Sequence, residues 1–306
     1  MSELHPQATR IGIVFSSMDR YELIRMALEH MLAGIDPSHH EVTVLWQDGS
    51  EERDALRFFE RFHIDSVRLI KHGGIRGIGP AEAIERGMTE LQKIGHFDWI
   101  GMVESDVYLT QDWLFECLRV AEEAKKVGLN PGIVTPYVLH MWVVEYNSSF
   151  VTMSGCGAAC SLFTPNAWVL VPPVEIGHSF DTRLLERYGF PVVHKKHTFL
   201  GYDWCFAPSV YHGGFDVIGT RVSKLLNCGY PQHLKSAHKG YSYVEGADSP
   251  TWADKGPVRL GPRDYNGWRV ALEAAATQKQ QYKHKSTIRT KIRHRLAGLR
   301  IFLTGR

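Results

Sequence analysis

The chain has 306 residues, of which 44% are hydrophobic and 22% are charged, as is typical of a globular protein with one large α/β domain and an appendage. No apolar run reaches the roughly 18 residues of a membrane-spanning helix, and the N-terminus lacks the apolar segment of a signal peptide. The five cysteines show no paired metal-ligand spacing. We therefore expect a cytoplasmic protein with reduced thiols.

The formal net charge of +2 hides an uneven distribution of charge along the chain. Nine of the 35 basic residues lie between Gln278 and Arg306, and this segment has no acidic residue. The first 277 residues therefore hold 26 basic and 33 acidic residues. An acidic body without a recognition motif argues against nucleic-acid binding.

The first 127 residues alternate between short β-branched apolar runs and segments whose apolar residues recur at helical spacing. The apolar runs predict strands over 11–16, 41–46, 66–70 and 99–103. The other segments predict helices over 20–32, 50–62, 80–94 and 113–127. This alternation predicts an α/β fold with a mostly parallel sheet and helices on both of its faces.

The alternation weakens beyond residue 132. Apolar segments predict strands over 133–144 and 151–163, around the small-residue run SGCGAACS, and short helices over 180–188 and 204–212. The segment 249–267 is rich in Gly, Pro and Asp, which indicates a loop or linker.

Two common nucleotide-binding motifs are absent. The segment after the first predicted strand, SSMDRYEL, has no glycine, whereas a dinucleotide-binding turn needs G-x-G-x-x-G. No glycine-rich segment ends in Gly-Lys-Ser/Thr, so the chain has no P-loop.

Acidic residues follow two of the predicted strands: Asp48 follows the second, and Glu104 and Asp106 follow the fourth. Ligands of open α/β sheets bind at the carboxyl ends of the strands, and divalent cations prefer oxygen ligands. These acids are therefore candidate metal or nucleotide ligands. The alternative is an acidic turn at each place, with a helix N-cap at Ser50 after Asp48.

Asp203, in the segment GYDW, has two interpretations. It is either a helix N-cap or a general base whose pKa is raised among aromatic side chains. His233 and His238, in PQHLKSAHKGYS, are each candidates to complete an acid-bound metal site with a neutral imidazole.

From about residue 11 to residue 242, the sequence resembles the GT-A fold inverting glycosyltransferases that build bacterial polysaccharides and cell-surface glycans. IGIVFSSMDRYELIRMALEHML is similar to their opening strand, nucleotide-contact loop and helix, and EVTVLWQDGS to their second strand. Four further segments resemble their Asp-x-Asp, acceptor-side, catalytic and closing-histidine elements: DWIGMVESDVYLTQDWL, SGCGAACSLFTPNAW with FDTRLL, GYDWCFAPSVYHGGFDV and AHKGYS.

The resemblance implies a role for each matched position. Ser16, Ser17, Asp19, Asp48 and Glu104 would contact the nucleotide. Asp106 and His238 would hold Mn²⁺ or Mg²⁺ on the diphosphate of a nucleotide-diphospho-sugar donor, with help from Glu104. Asp203 would deprotonate a hydroxyl of a glycan or lipid-linked acceptor, which attacks from the opposite face of the sugar and inverts its configuration.

The sequence also departs from the family pattern. Gln47 replaces the first acid of the usual Asp-Asp-Gly-Ser, Tyr202 replaces the glutamate before the catalytic aspartate, and Met18 stands where an aromatic residue often stacks on the base. The usual Arg-Asn pair after the third strand is absent, so we expect Arg76 to serve as the phosphate contact.

The basic tail has apolar residues on one helical face, at Ile288, Ile292, Leu296, Leu299 and Leu303. A basic amphipathic helix of this kind binds an anionic membrane surface, which would place the protein on the inner face of the cell membrane. Docking of the helix on the acidic body is an equal alternative.

The sequence therefore predicts three parts: a glycosyltransferase domain over 1–245, a loop and linker helix over 246–277, and the basic helix over 278–306. The leading hypothesis is a metal-dependent inverting glycosyltransferase. The alternative is a catalytically silent GT-A-like binding domain that is localised by its tail. A nucleotidyltransferase of related topology ranks last, because its glycine-rich loop is missing.

Overall fold

The computed structural model describes residues 8–75, 80–138, 142–171 and 202–227. Four predicted segments lie outside the described residues: the helix over 180–188, the loop over 249–267, and the two C-terminal parts. Three candidate ligands, Arg76, His233 and His238, also lie outside them.

All eight predicted elements of the first half are confirmed, with small shifts at their ends. The strands are β1 (Thr9–Ser17), β2 (His40–Asp48), β3 (Arg68–His72) and β4 (Trp99–Glu104). The helices are α1 (Tyr21–Ala33), α2 (Arg53–Arg61), α3 (Pro80–Ile94) and α4 (Trp113–Lys126). A short strand that the sequence did not predict, β5 (Val107–Leu109), follows β4 after a tight turn.

The second half is only partly as predicted. The single strand expected over 133–144 is wrong, because β6 (Pro131–Thr135) ends before Pro136, which cannot donate a ladder hydrogen bond. β7 (Val143–Tyr146) is a separate strand. The strand expected over 151–163 is likewise two strands, β8 (Phe150–Met153) and β9 (Cys160–Phe163), which flank the small-residue run.

The remaining elements follow β9. α5 (Pro165–Trp168), β10 (Asp216–Thr220) and β11 (Leu225–Asn227) were not predicted. The helix predicted over 204–212 is present as a 3₁₀ turn (Tyr202–Cys205) that leads into α6 (Phe206–His212).

The large sheet has nine strands in the order β3-β2-β1-β4-β9-β6-β10-β8-β7. β1 to β4 are mutually parallel, and β10 is parallel to β6. β9 is antiparallel to both β4 and β6, and β8 is antiparallel to its two neighbours. The predicted mostly parallel sheet is therefore confirmed. β5 and β11 form a separate antiparallel pair.

Helices cover both faces of this sheet, as predicted. On one face, α1, α2 and α4 pack Leu28, Phe59 and Trp113 into a core with the β1 side chains of Ile13 and Phe15. On the other face, α3, α5 and α6 form a second core around Val14 of β1, with Met88, Leu91, Trp168 and Phe206. Within the described residues, none of the helices has the length and apolar character that crossing a membrane requires.

The strand register places the candidate residues at one edge. Ser17 pairs with Asp48 of β2, and Ser16 pairs with both Gln47 of β2 and Glu104 of β4. The chain passes from β1 to β2 on one side and reaches β4 on the other. This edge is therefore a topological switch point, where open α/β sheets bind their ligands.

Candidate functional site

Asp48 lies at the end of β2 and is fully buried. Its Oδ1 atom accepts hydrogen bonds from the hydroxyls of Ser17, at 2.6 Å, and Ser50, at 2.7 Å. The Ser50 amide donates to its Oδ2 atom at 3.3 Å. The indole Nε1 of Trp46 donates to Ser17 Oγ at 2.8 Å. We call Ser17, Asp19, Trp46, Asp48 and Ser50 the Asp48 network; it ties the ends of β1 and β2 together.

Asp19 joins this network from the loop between β1 and α1. Its amide donates to Ser50 Oγ at 2.8 Å, and its Oδ1 atom accepts from the amides of Glu51, at 2.6 Å, and Glu52, at 2.8 Å. Asp19 thereby satisfies amides ahead of α2, whose N-cap is Glu52 rather than Ser50. The alternative helix N-cap at Ser50 is therefore wrong.

The loop holds two consecutive residues in the left-handed conformation, Asp19 at φ 52° and Arg20 at φ 64°. Such a conformation is uncommon for residues other than glycine and is retained where the surroundings enforce it. Here the Asp19 contacts enforce it, together with a 2.8 Å hydrogen bond from the Arg20 amide to Glu52 Oε2. These hydrogen bonds therefore hold the β1–α1 loop against the segment between β2 and α2.

The β1–α1 loop, held in this way, directs the Arg20 side chain to the end of β4. Its Nη2 atom lies 3.3 Å from Asp106 Oδ2, in an ion pair whose side chains are 31% and 17% exposed. Asp106 lies in the tight turn between β4 and β5, two residues after Glu104 at the end of β4. The turn brings both carboxylates to the same place, as the sequence predicted.

Asp203 reaches this place from the 3₁₀ turn in the second half of the chain. A Cβ atom built on Gly157 would lie 3.7 Å from Asp203 Oδ2, so the carboxylate faces the small-residue run between β8 and β9. Its charge also acts on Glu104 and on the buried thiol of Cys156. We call Glu104, Asp106 and Asp203 the carboxylate cluster.

Among the described residues, two negative charges and one positive charge act on Glu104. Burial, the largest cause, and the negative charges of Asp106 and Asp203 together raise the pKa of Glu104 to about 8, while the charge of Arg20 opposes them. A carboxyl with such a pKa is mostly protonated at neutral pH. The described part of the cluster therefore holds three acids and one guanidinium.

Gln47 does not face this cluster, although it precedes Asp48. With its amide oriented to satisfy both of its hydrogen bonds, it donates to the Ala83 carbonyl at 2.5 Å and accepts from the Gly87 amide at 3.1 Å. Both partners belong to α3, and Gln47 is only 3% exposed. An amide is suited to this position because it supplies one donor and one acceptor, whereas a carboxylate supplies acceptors only.

Gly49 marks a close backbone approach beside the edge. A Cβ atom there would lie 2.9 Å from the Ile75 carbonyl oxygen, and the Ile75 amide donates to the Asp48 carbonyl at 3.2 Å. Met18, 57% exposed, lies next to Gly49. This places the exposed Met18 side chain at the loop that the sequence assigned to the nucleotide.

The structure thus brings together Glu104, Asp106 and Asp203, and it places Ser16 at the same edge. Ser17 donates to Asp48, and Asp19 bonds to Ser50, Glu51 and Glu52, so the contact of these three residues with a nucleotide stays a prediction. Sequence reasoning missed Arg20. A basic residue directly after the first strand, in a loop that precedes a helix, is the signal that was available.

Among residues 8–75, 80–138, 142–171 and 202–227, no group of three His, Cys, Asp or Glu side chains is arranged to hold a metal ion. The donor chemistry nevertheless fits a hard divalent cation, because Asp106 and Glu104 supply carboxyl oxygens and a bound cation would favour the ionised form of Glu104. Such cations are commonly bound by one or two carboxylates together with substrate phosphates.

Comparison with known protein families and with curated proteins gave no match. Among solved structures, the chain is similar to the mannosyltransferase PcManGT of Pyrobaculum calidifontis in complex with GDP-Man and Mn²⁺ (14% identity, TM-score 0.44, 96% of this chain and 81% of that one). It is also similar to S. aureus TarS 1–349 in complex with UDP-GlcNAc (14% identity, TM-score 0.39, 70% of this chain and 56% of that one).

A third similar structure is a nucleoside-diphosphate-sugar pyrophosphorylase of Vibrio cholerae RC9 (12% identity, TM-score 0.43, 74% of this chain and 98% of that one). Identities and TM-scores this low carry no argument about this chain.

Proposed function

We propose that this protein is a metal-dependent inverting glycosyltransferase that moves a sugar from a nucleotide-diphospho-sugar donor to a hydroxyl of a glycan or lipid-linked acceptor. The observation that carries the proposal is the convergence of Glu104, Asp106 and Asp203 at the switch point of the sheet. These acids come from two segments about a hundred residues apart. Both segments match the motifs of the family that the sequence resembles.

Asp106 and Glu104 would hold the divalent cation, and His238, outside the described residues, is the expected third ligand. The cation would offset the charge that develops on the departing nucleoside diphosphate. Arg20, already at Asp106, adds a second positive charge beside the same group.

Asp203 would act on the acceptor. Its carboxylate takes the proton from the acceptor hydroxyl as that oxygen attacks the anomeric carbon, and the nucleoside diphosphate leaves from the opposite side. The Asp203 carboxylate faces the small-residue run at Gly157, on which the rings of Tyr137 and Trp142 pack. We propose that the acceptor approaches Asp203 beside these rings.

The alternative function is a catalytically silent binding domain. Two observations favour it: Asp48 is fully buried with both carboxylate oxygens engaged, and Arg20 already pairs with Asp106. In this case, the carboxylate cluster would be neutralised internally and no nucleotide would bind.

Calorimetric titration with UDP, GDP, dTDP and CDP, each with and without Mn²⁺, distinguishes the two functions. We expect one nucleotide to bind the wild type in a metal-dependent way and to lose that binding in Asp106→Ala. Asp65→Ala is the matched control, because the Asp65 carboxylate is 93% exposed and lies outside the site. Absence of binding by all four nucleotides would favour the silent domain.

A transfer assay then tests the reaction itself. The nucleotide that binds selects the donor sugars to be tried, and the anomeric configuration of the product, determined by NMR, tests inversion. A product that retains the configuration of the donor would contradict the single displacement proposed for Asp203.

A further inference from the structure

The Arg20–Asp106 ion pair is the feature of the site that the sequence motifs do not explain. Arg20 and Asp106 are 86 residues apart in the sequence, and Arg20 lies in a loop whose conformation is held by hydrogen bonds to Ser50 and Glu52. A loop with two left-handed residues is costly to maintain. Here the left-handed backbone of Asp19 and Arg20 fixes the direction of the Arg20 guanidinium.

The Arg20–Asp106 ion pair is close but not fully buried. The Nη2–Oδ2 distance is 3.3 Å, longer than the usual 2.7–2.9 Å of a strong charged hydrogen bond, and the two side chains remain 31% and 17% exposed. Ion pairs that retain contact with solvent contribute little stability. A divalent cation with a preference for carboxylate oxygens can therefore displace this guanidinium.

We propose that Arg20 is an exchangeable counter-ion of the carboxylate cluster: it pairs with Asp106 in the metal-free protein, yields Asp106 to the divalent cation, and then pairs with the diphosphate of the nucleotide. The inference rests on the proposed function and deepens it. A guanidinium suits both states, because its planar fork pairs with carboxylate and with phosphate oxygens.

The exchange couples the two ligands. The cation alone must displace Arg20 from Asp106 without compensation, so it binds weakly. When the nucleotide is present, the displaced guanidinium gains phosphate oxygens as new partners, so the cation binds more tightly. By linkage, the nucleotide gains the same factor from the cation. Arg20 therefore makes the site load the cation and the nucleotide together.

The test uses the full chain and the variants Arg20→Gln and Arg20→Gly. Glycine is favoured at a left-handed position, so Arg20→Gly removes the side chain without adding backbone strain. The matched control is Arg25→Gln, which removes one positive charge from α1 where Arg25 pairs with Glu22 and Glu29. Circular dichroism and thermal unfolding check that each variant folds.

Two quantities are measured: the affinity for Mn²⁺ alone, by electron paramagnetic resonance, and the affinity for the best-binding nucleoside diphosphate with and without saturating Mn²⁺. We expect both Arg20 variants to bind Mn²⁺ alone about tenfold tighter and to lose about tenfold of the metal–nucleotide coupling factor, within the usual range of coupling between sites. Arg25→Gln should behave as the wild type in both.

Each other outcome overturns the exchange in a recognisable way. Unchanged Mn²⁺ affinity in the Arg20 variants would show that the guanidinium does not compete for Asp106. Mn²⁺ affinity that rises equally with and without nucleotide would show a plain charge effect without exchange. Absence of both Mn²⁺ and nucleotide binding by the wild type would remove the proposed function itself, and the inference with it.

Discussion

The Asp48 network and the carboxylate cluster lie side by side at one edge of the sheet, but their acidic residues have different surroundings. In the network, a single buried carboxylate receives hydrogen bonds from two hydroxyls and one amide. In the cluster, the negative charges of Asp106 and Asp203 act on Glu104 together with one guanidinium of the described residues, that of Arg20, and burial and the two negative charges raise the pKa of Glu104 to about 8.

The difference lies in what the acidic residues contact within the protein. A buried carboxylate that accepts hydrogen bonds from the segments around it stabilises the fold by holding those segments together. A group of acids with excess negative charge gains when it binds a cation or transfers a proton. The network fixes the β1–α1 loop, and this loop brings Arg20 to the cluster. The predictions below test this division of roles.

The largest effect is expected for Asp203→Asn. If Asp203 is the general base, the change should lower kcat about 10²–10⁴-fold, while thermal unfolding stays within a few degrees of the wild type. Sugar transfer with the donor identified by nucleotide binding measures the effect. Asp65→Asn is the control, because it makes the same substitution at an exposed carboxylate outside the site. A transfer rate equal to that of the control would remove Asp203 from the reaction.

Asp48→Ala should have the largest effect on stability. It leaves the hydroxyls of Ser17 and Ser50 without their acceptor in a fully buried place. Unsatisfied buried groups typically cost about 1–3 kcal/mol each, so we expect a loss of about 3 kcal/mol in the free energy of unfolding. Urea unfolding measures it. A loss below that of Asp106→Ala would reverse the comparison between network and cluster.

Gln47→Glu should cost about 2 kcal/mol at neutral pH, because a carboxylate cannot donate to the Ala83 carbonyl and would be buried as a charge. Burial raises the pKa of the introduced carboxyl in the folded state above its unfolded value of about 4.3. The loss relative to the wild type should therefore be small below that pH and grow as the pH rises.

Gln47→Met is the matched control for this pH dependence. Its side chain has a similar volume and no ionisable group, so any loss of stability that it causes should not vary with pH. Urea unfolding of both variants between pH 4 and pH 8 checks the expectation. A pH-independent loss in Gln47→Glu would mean that the introduced carboxyl turns away from α3 towards solvent.

The elements with clear periodicity were predictable from the sequence, and the contacts between distant elements were not. β1 to β4 alternate with helices whose apolar residues recur at helical spacing, so the order and type of these elements followed from the pattern alone. β10 and β11 are short and follow glycines or polar residues, which left no comparable signal. The single strand predicted over 133–144 is wrong because Pro136 cannot continue the hydrogen-bond ladder.

The candidate site divides in the same way. The family resemblance assigned Glu104, Asp106 and Asp203 to one site, and in the structure the charges of Asp106 and Asp203 both act on Glu104, while their roles stay a prediction. The direction in which Asp48 turns depends on Ser17 and Ser50, and the direction of Arg20 depends on a left-handed loop. Neither a hydrogen bond between two loops nor a left-handed arginine leaves a periodic pattern in the sequence.

The smallest effect on stability is expected for Asp106→Asn in the absence of metal. The change weakens a solvent-accessible ion pair with Arg20, which is worth about 1 kcal/mol or less. It also removes a negative charge that opposes ionisation of Glu104, and this gain partly offsets the loss. Urea unfolding should therefore give a free energy within about 1 kcal/mol of the wild type. A loss as large as that of Asp48→Ala would show that Asp106 supports the fold as Asp48 does, and the carboxylate cluster would then lose its distinction from the network.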